Sequence, residues 1–499
     1  MDESRIPVIV GVGQINDRPD SDANALNSLG LMKAALQAAD REAGGGWLAK
    51  LDSLAVVAQL SFPELGDVSR PLADALGAAP RLCKQTPYPS GDSPVLLLNE
   101  AANRIAAGEI EVGAVAGGEA LRTAARRIKT RADAPNAVRE AAARGARPLR
   151  QRYGIVAPTD IYPLYENACR AAWGQSLAEG QHESAQIWSL FSQVAAANPD
   201  AWLRRALTPK DILTPSADNR PIAFPYTKLM VANASVNQGA AFIVASLAKA
   251  KAIGVRADQL VFVGAGAAAR EPGDILARDR FDRSSSMGAA LRNALAFNNL
   301  SSSDLDWVEL YSCFPCIPKL ARRIIDWPAE RAATVFGGLT FGGGPVGNYM
   351  SHAVAAMVQK LRTGGRFGLL FANGGFATTN HAIVLSRDVP AVGPRDFNVQ
   401  LEADAARGAA PALIEDYTGP GSIETYTVFY DRAGAPSRGV VIARTPDGAR
   451  FICRVPGDDL ETISFLTSGK HEPVGAHGEA SPDSEGVSLW RCGNKCERK

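Results

Sequence analysis

The stretch Phe336-Gly-Gly-Leu-Thr-Phe-Gly-Gly-Gly-Pro-Val-Gly-Asn-Tyr-Met-Ser-His-Ala353 is dominated by glycine. Glycine lets the backbone take positive φ and lets another group approach closely. The following segment, Tyr349–Leu361, has apolar residues at helical spacing, and Gly364-Gly365 ends it. The sequence therefore predicts a flexible loop aimed at a helix N-terminus, where free N–H groups favour an anionic or carbonyl oxygen. The alternative is a tight turn before a buried helix.

A similar arrangement occurs earlier in the chain. Gly91-Asp92-Ser93-Pro94 opens an apolar helix that ends at Gly108, with Ser93 expected as the N-cap and Pro94 in the first turn. Each helix is preceded by a short segment that contains serine and ends in Phe-Pro, at 60–63 and at 312–315. Each is followed by an apolar strand, at 112–118 and at 367–375. The matching order indicates an internal duplication, with two similar α/β halves facing each other.

Three segments resemble the thiolase superfamily. Asn233–Ala241 resembles its asparagine-rich signature, Trp307–Phe314 resembles the strand of its second half, especially in the sterol-carrier type, and Gly342–Gly347 lies where thiolases have a Gly-His-Pro loop. The resemblance covers 5–390 and is strongest to the thiolase-like protein type 1 group, which is acetyl-CoA acetyltransferase-like. It implies a thiolase fold of duplicated βαβαβαββ halves layered αβαβα, with an inserted loop domain and a small C-terminal OB-like β-barrel.

The resemblance and the sequence pattern together divide the chain into segments. They are an N-terminal half at 1–120, a loop domain at 121–228, a return segment at 229–255, a C-terminal half at 256–391, an OB-like domain at 392–469 and a disordered tail at 470–499. Ile6–Gly13 and Leu260–Gly266 are predicted to be buried parallel strands that open the two halves, within a largely parallel sheet. Ala240–Ala252 is predicted to be a helix.

Bulk properties limit the class of protein. A chain of 499 residues is too long for one core, and 46% hydrophobic with 21% charged residues is ordinary for a soluble protein. The acidic N-terminus and the lack of an apolar run of about 18 residues favour a cytoplasmic protein that does not bind membranes.

The cysteine pattern argues against disulfide and metal chemistry. Seven cysteines are an odd number spread thinly over the chain. Cys313 and Cys316 form a Cys-x-x-Cys, which also suits redox chemistry or a metal. A zinc site needs two more ligands, and no second pair has suitable spacing, so no metal is predicted.

A basic cluster marks the loop domain. Between Arg122 and Arg152 ten basic residues face only two acidic ones, a local balance of +8 in a chain of net charge +1. Such a concentration attracts a polyanion. The thiolase resemblance implies that this domain covers coenzyme A, with Arg126 and Arg127 binding its phosphates and Ser235 near the pantetheine arm. A solvated surface loop is the alternative, and nucleic acid fits less well because Tyr153 is the one nearby aromatic residue.

The catalytic residues of thiolases are not retained. Thiolases use a nucleophilic Cys, an Asn or His on the second-half strand, a His in the glycine loop and a second Cys. Aligned by the flanking glycines, these four positions are Gly91, Tyr311, Gly344 and Ala372. A covalent acyl-enzyme needs an activated nucleophile with a base in reach, so the standard cysteine mechanism is not expected.

Other side chains are available for catalysis in the expected cleft. We predict Tyr311, Cys313, Tyr349 and His352 as catalytic candidates. Asn348 and the backbone N–H groups of Gly374 and Gly375 are predicted to bind the thioester oxygen. Asn373 and His381 are expected in the same cleft. For His352 and Cys313, core packing is the alternative. Tyr311 resembles the aldolase branch of the superfamily, in which tyrosines do acid–base work and an OB-type partner contacts the enzyme.

Three functions are compatible with this sequence. The first is an enzyme acting on acyl-CoA, by resemblance an acyltransferase for groups other than aminoacyl groups, and by its residues a carbon–carbon lyase or a condensing enzyme without an acyl intermediate. The second is a non-catalytic acyl-CoA binding protein. The third is an interaction module whose barrel recruits a protein partner or nucleic acid. No cofactor is expected beyond the coenzyme A thioester as substrate or ligand, and a monomer and a dimer both remain open.

Overall fold

A computed structural model of the chain describes residues 2–130, 148–483 and 486–492. The larger sheet has nine strands in the order β3-β2-β4-β7-β1-β8-β11-β10-β9. Its strands are β1 (Pro7–Asn16), β2 (Ser53–Val56), β3 (Leu82–Gln85), β4 (Val112–Ala120), β7 (Asn237–Ser246), β8 (Val261–Arg270), β9 (Trp307–Leu310), β10 (Phe367–Gly374) and β11 (Thr379–Ser386). The first five belong to the N-terminal half and the last four to the C-terminal half. The two halves meet along a short antiparallel pairing of β1 with β8, at Val8↔Phe262 and Ile9↔Val261.

Fourteen α-helices of four or more residues occur in the described part of the chain. They are α1 (Ser28–Glu42), α2 (Ser69–Ala75), α3 (Ser93–Ala107), α4 (Leu121–Thr130), α5 (Leu149–Arg152), α6 (Pro158–Ala172), α7 (Leu177–Ala197), α8 (Pro209–Leu213), α9 (Leu247–Ile253), α10 (Ser285–Phe297), α11 (Cys316–Ile324), α12 (Tyr349–Thr363), α13 (Gln400–Ala406) and α14 (Leu460–Thr467). None of the described helices has the length and apolar character needed to cross a bilayer.

The two predicted loop–helix units lie at the centre of the molecule. Helices α3 and α12 contact each other, and each contacts strands of both halves. This enclosed position against strands of both halves explains why both helices are apolar on most sides, because a helix enclosed by protein has no face that must be polar. The predicted arrangement of two α/β halves around buried helices is confirmed.

The sheet differs from the predicted, largely parallel one. Only β2 pairs in parallel with β3 and β4, and β9 with β10, whereas the central strands β4, β7, β1, β8, β11 and β10 are antiparallel. A strand covered by helices on both faces is continuously apolar in either orientation, so the pattern could not reveal direction. The same ambiguity explains why the helix predicted over 240–252 is wrong for 240–246, which belong to β7. It is confirmed for 247–252, which belong to the short helix α9.

The C-terminal region forms a closed barrel of five strands. They run in the order β13-β14-β16-β15-β12, and β12 pairs with β13 to close it. The barrel strands are β12 (Gly419–Tyr430), β13 (Pro436–Arg444), β14 (Arg450–Pro456), β15 (His477–Pro482) and β16 (Ser488–Cys492). A hairpin of the insertion, β5 (Pro221–Ala223) and β6 (Tyr226–Thr227), adds to β12.

The prediction of a disordered tail over 470–499 is wrong for β15 and β16. These strands are short and rich in polar and small residues, but Ala480 and Trp490 are buried and complete the barrel core. A tail with few apolar residues was expected to stay unpaired, because it buries too little surface to offset its ordering entropy. The buried side chains of this hairpin are enough here, since the barrel supplies the remaining surface.

Candidate functional site

A cavity of about 510 Å³ lies where the two halves and the insertion meet. Its walls come from both loop–helix units, the strand end at Tyr311, the 231–234 segment and the start of α6. The lining residues are Pro89, Ser90, Gly91, Ala157, Pro158, Thr159, Tyr162, Val231, Ala232, Ala234, Tyr311, Cys313, Phe314, Leu339, Gly344, Val346, Gly347, Asn373, Gly374, Gly375 and Phe376. A volume of this size is typical of small-molecule sites, which are mostly apolar with a few polar groups.

The glycine loop forms one wall of this cavity. Gly343 has a φ of 107° and Val346 a φ of 45°, so the chain turns sharply before α12. The N–H of Gly344 donates to the carbonyl of Asn233 at 2.9 Å, and the N–H of Asn233 donates to the carbonyl of Leu339 at 3.0 Å. The asparagine-rich segment and the glycine loop are therefore joined directly, which keeps this wall in place.

Tyr311 fills the space above Gly91. A Cβ at position 91 would overlap the Tyr311 hydroxyl and the carbonyl oxygen of Asn373, and would lie 2.6 Å from the ring carbon Cζ of Tyr311. Tyr311 follows β9 with a φ of 34°, in the left-handed region that a non-glycine residue adopts at a cost of roughly 1–3 kcal/mol. The tyrosine hydroxyl therefore occupies the place from which a nucleophilic side chain at 91 would project.

Three ionisable side chains in the cavity wall hold their protons at neutral pH. Burial raises the pKa of Tyr311 well above its ordinary value, with smaller contributions from Cys313 and Asp92. Burial likewise raises the pKa of the Cys313 thiol to about 12 and that of Tyr162 well above its usual range. A protonated thiol is a poor nucleophile and a protonated phenol is a donor rather than a base.

Tyr162 from the insertion was not identified in the sequence. Its hydroxyl donates to Asn373 Oδ1 at 3.0 Å and accepts from the N–H of Ala377 at 3.0 Å, and its ring stacks on Phe314 at 4.6 Å. The loop that follows β10 is thus fixed by a residue about 210 positions away. Helix α6 carries no local motif, so no sequence signal pointed to this contact.

Two predicted site residues are buried outside the cavity wall. The Tyr349 hydroxyl donates to Glu309 Oε1 at 2.9 Å, and its ring meets that of Tyr311 edge-on at 5.9 Å. His352 Nδ1 lies 2.8 Å from Gln14 Oε1, and burial lowers its pKa to about 3. Neither side chain lines the cavity, so Tyr349 can act there only through Tyr311, and His352 does not reach it.

Of the remaining predicted site residues, some line the cavity and others do not. Gly374 and Gly375 line the cavity, whereas Ala372 is buried within β10 and Asn348 packs against Gly117. Its side-chain nitrogen and oxygen are both buried and have no hydrogen-bond partner among the described residues. Asn348 is not among the residues that line the cavity, so the structure does not bring it to a ligand oxygen directly.

The predicted coenzyme A residues lie on the surface. Ser235 is exposed beside the cavity residue Ala234, and its N–H donates to Asn233 Oδ1 at 3.1 Å. Arg126 and Arg127 are exposed on α4, and the Arg127 guanidinium lies 5.3 Å from the Phe62 ring centroid. Of the other basic residues, Arg150 and Arg152 make internal contacts, with Ile155 O and with Glu415 and Asp416, and 131–147 fall outside the described residues.

Two further features of the described residues bear on chemistry. Cys313 and Cys316 are both buried free thiols. No group of three or more His, Cys, Asp or Glu side chains that could hold a metal ion occurs within 2–130, 148–483 and 486–492.

Several solved structures have a fold similar to that of this chain. A monomeric SCP2-thiolase-like protein type 1 from Mycobacterium smegmatis is 30% identical, with a TM-score of 0.83 over 99% of this chain and 100% of that chain. An Ltp2–ChsH2(DUF35) aldolase is 18% identical (TM-score 0.59, 77% of this chain, 99% of that one). Human mitochondrial 3-ketoacyl-CoA thiolase in complex with CoA is 16% identical (TM-score 0.57, 77% and 98%). The latter two likenesses show the fold alone.

The C-terminal domain identifies the family more narrowly than the fold does. The family of the thiolase-like protein type 1 additional C-terminal domain matches 400–485, which includes most of the barrel. A search of curated proteins finds no match. The fold and the cavity between its halves define a thiolase-like protein. More particularly, the chain belongs to the SCP2-thiolase-like protein type 1 family.

Proposed function

We propose that this protein binds an acyl thioester of coenzyme A in the 510 Å³ cavity and forms no acyl-enzyme through a cysteine. The observation that carries the proposal is the Tyr311 hydroxyl lying over Gly91. It supports a site that has kept the cavity of a thiolase fold and has replaced the nucleophile by a proton donor.

The shape and lining of the cavity favour an acyl chain with its thioester group. Most of the walls are apolar, from Val231, Leu339 and Phe376 among others, and the backbone of Gly374 and Gly375 supplies polar groups at one point. Apolar walls favour a hydrocarbon chain, and a small set of polar groups fixes its orientation. The nucleotide end would then lie outside, beside the exposed Ser235 and towards Arg126 and Arg127.

The proposed absence of a cysteine intermediate follows from the protonation states. The Cys313 thiol, with its pKa raised to about 12 by burial, is almost entirely protonated at pH 7. The Cys316 thiol is buried on α11 and its pKa is likewise raised. Neither thiol has an activating cation or base described beside it in the cavity wall, so a thioester bound there would keep its bond to coenzyme A.

The test is a calorimetric titration with butyryl-CoA. Wild-type protein should bind it, and Ala234→Trp, which places a large side chain at the exposed rim of the cavity, should weaken binding at least about 10-fold. Ala406→Trp, at an exposed position on α13, is the matched control and should leave binding unchanged. Equal affinities for all three proteins would place the ligand elsewhere, and no heat with wild type would refute the proposal.

The arginine pair provides a second test of the same pose. If Arg126 and Arg127 bind the phosphates of the nucleotide, affinity should fall steeply with salt, because exposed charges are screened over about 8 Å at physiological ionic strength. Arg126→Gln/Arg127→Gln should bind more weakly at low salt and depend less on salt. An unchanged salt profile would assign these charges to the solvated surface.

Tyr311 favours one catalytic alternative, a carbon–carbon lyase acting on the bound acyl-CoA. Its strained backbone and its place above Gly91 are features that proteins retain mainly at functional sites. With a pKa raised by burial, Tyr311 would donate a proton rather than accept one. Tyr311→Phe should then lower turnover of a β-hydroxyacyl-CoA about 100-fold with little change in affinity, the scale of general acid catalysis. Full turnover in that variant would exclude the mechanism.

A further inference from the structure

Three side-chain oxygens converge beside the cavity. Ser90 Oγ donates to Asp92 Oδ1, Thr379 Oγ1 donates to the same carboxylate oxygen at 2.8 Å, and the two hydroxyl oxygens are 3.5 Å apart. All three meet over the Cα of Gly374, where a methyl group would overlap each of them. We call these three residues the Ser90–Asp92–Thr379 cluster. Only glycine at 374 leaves room for it.

The cluster joins two cavities. Ser90 lines the 510 Å³ cavity, directly before Gly91. Asp92 and Thr379 line a second cavity of about 300 Å³ on the other side of the cluster. The three residues are each only 8–9% exposed, so the cluster is itself almost enclosed, with one end in each cavity.

The position of Asp92 is not explained by helix capping. Asp92 is the N-cap residue of α3, yet its side chain makes no capping hydrogen bond, although aspartate is among the best capping residues. The sequence-based assignment of Ser93 as N-cap was wrong for the same helix, since Ser93 is its first residue. The carboxylate instead turns to the Ser90 and Thr379 hydroxyls, which indicates a role in the cavity rather than at the helix end.

The described residues that line the two cavities offer few other proton acceptors. Facing Asp92 across the second cavity are Arg270 at the rim and His381, whose pKa burial lowers to about 3, so it is neutral. In the larger cavity Tyr311, Cys313 and Tyr162 keep their protons. Asp92 is thus the one carboxylate among the residues that line either of these two cavities.

We propose that Ser90 and Asp92 form a proton relay that removes a proton from the carbon next to the thioester carbonyl of the bound ligand. This rests on the acyl-thioester binding proposed above and assigns the base for that site. Ser90 is the catalytic residue because it lines the ligand cavity, and Asp92 acts through it. Thr379 holds the Asp92 carboxylate in position.

The relay is balanced in protons and electrons. The C–H bond breaks as Ser90 Oγ takes the proton, and the Ser90 hydroxyl proton passes to Asp92 Oδ1. The electron pair stays on the ligand as an enolate whose charge lies on the thioester oxygen, which needs fixed donors to be stabilised. Reversal of these transfers returns a proton to the same carbon. Solvent reaching Asp92 through the second cavity exchanges the proton held there.

The experiment measures deuterium incorporation into butyryl-CoA. The protein is incubated with butyryl-CoA in D2O, and the mass of the recovered thioester is followed with time. Wild type should add one and then two deuterons at the carbon next to the carbonyl. Asp92→Asn and Ser90→Ala should each lower the exchange rate at least about 100-fold, the contribution expected of general base catalysis, with the calorimetric affinity within about threefold of wild type. Asp447→Asn, at an exposed turn of the barrel, is the control and should exchange like wild type.

The outcomes separate this inference from the proposed function. Binding of butyryl-CoA without exchange by wild type would overturn the relay and leave the binding function standing. Exchange that persists in Asp92→Asn or Ser90→Ala would overturn it as well. A butyryl adduct on Ser90 would assign this serine a nucleophilic role in place of a relay. Failure of wild type to bind butyryl-CoA would refute the proposed function itself, and the relay with it. Ser90→Ala keeps the bond between Thr379 and Asp92, so it tests the relay even if Asp92→Asn folds poorly.

Discussion

The hydroxyl of Tyr311 lies where a side chain at position 91 would begin, so a residue of the C-terminal half fills space beside the N-terminal half at the cavity. A residue with a side chain cannot enter at 91 unless Tyr311 and the backbone at Asn373 both move. The tyrosine in turn depends on glycine at 91 for its place. A nucleophile at 91 therefore needs the side chain of Tyr311 to move as well.

Gly91→Cys tests this dependence directly. We expect no gain of acetoacetyl-CoA thiolysis and a loss of about 1–3 kcal/mol in the free energy of unfolding, the usual cost of overpacking a well-filled site. Urea unfolding and a thiolysis assay measure the two quantities. Gly91→Ala should be destabilised by a similar amount, since the overlap starts at Cβ. Thiolysis by Gly91→Cys at wild-type stability would contradict the described geometry.

Glu309 provides a prediction about pH. Burial raises its pKa from 4.5 to about 7, although Tyr349, Thr334 and the N–H of Val335 donate to its carboxylate. The folded protein thus binds this proton more tightly than the unfolded chain. The stabilisation of the folded protein by this bound proton is complete below pH 4.5 and is lost as pH rises through about 7. The difference between the two pKa values corresponds to roughly 3 kcal/mol.

Glu309→Gln removes the titration and serves as the reference for this measurement. Between pH 4.5 and 7 the unfolding free energy of wild type should fall by roughly 3 kcal/mol relative to that of the variant, measured by urea denaturation at each pH. Parallel curves for the two proteins would show that Glu309 does not titrate with a raised pKa.

For single residues, the sequence showed which thiolase catalytic side chains are missing. It did not show all of the side chains that lie in the cavity instead. The flanking glycines located Gly91, Tyr311 and Gly344 in the cavity because such loops have a fixed spacing. Ser90 and Tyr162 were missed, since their roles depend on contacts with Gly374 and Asn373 in the other half. Single-sequence patterns report local spacing and carry no information about such distant contacts.

At the level of elements, a buried ion pair connects the insertion to the C-terminal half. Lys319 Nζ on α11 lies 2.5 Å from Glu166 Oε1 on α6, and both side chains are almost wholly buried. Lys319 Nζ also donates to the carbonyl of Gly180 at 2.7 Å, and the Tyr226 hydroxyl donates to Glu166 at 2.7 Å. The insertion is therefore joined to the C-terminal half by a buried polar cluster.

Lys319→Met should be strongly destabilising. It leaves the Glu166 carboxylate buried without a cation, which typically costs about 3–5 kcal/mol. Lys251→Met, which breaks the exposed pair with Glu3, is the control and should change the unfolding free energy by less than about 1 kcal/mol. Similar small effects of both variants in chemical denaturation would mean that the buried pair is hydrated in solution.

Strand direction marks the limit of prediction for elements. The pattern correctly located helices α3 and α12 and the strands that follow them. It could not distinguish parallel from antiparallel neighbours, because Val112–Ala120 and Asn237–Ser246 are buried along their whole length. Alternation would have revealed direction only if one face of the sheet met water.

For the whole molecule, the barrel and the body are joined by buried polar contacts. The Arg450 side chain is fully buried and donates to Glu424 within the barrel and to the carbonyls of Leu276 and Arg278 in the C-terminal half. Arg278 in turn donates to the carbonyls of Phe376 and Ala377 beside the cavity. A barrel fixed in this way supports the cavity wall and is not free to swing towards a partner.

Arg450→Met should therefore affect the whole chain. We expect a loss of about 3–5 kcal/mol, since Arg450 is the buried member of its ion pair, and one cooperative transition in calorimetry for both wild type and variant. Arg432→Met, at an exposed turn of the barrel, should stay within about 0.5 kcal/mol of wild type. A separate barrel transition in wild type would contradict this coupling.

The central claim is that an acyl thioester binds here without a cysteine acyl-enzyme, and mass spectrometry tests it most directly. The protein is incubated with butyryl-CoA, and one sample is measured by native and by denaturing ionisation. We predict a native complex heavier than the protein by intact butyryl-CoA and a denatured chain of unmodified mass. A butyryl adduct on any cysteine, or a native spectrum without bound butyryl-CoA, would contradict the account.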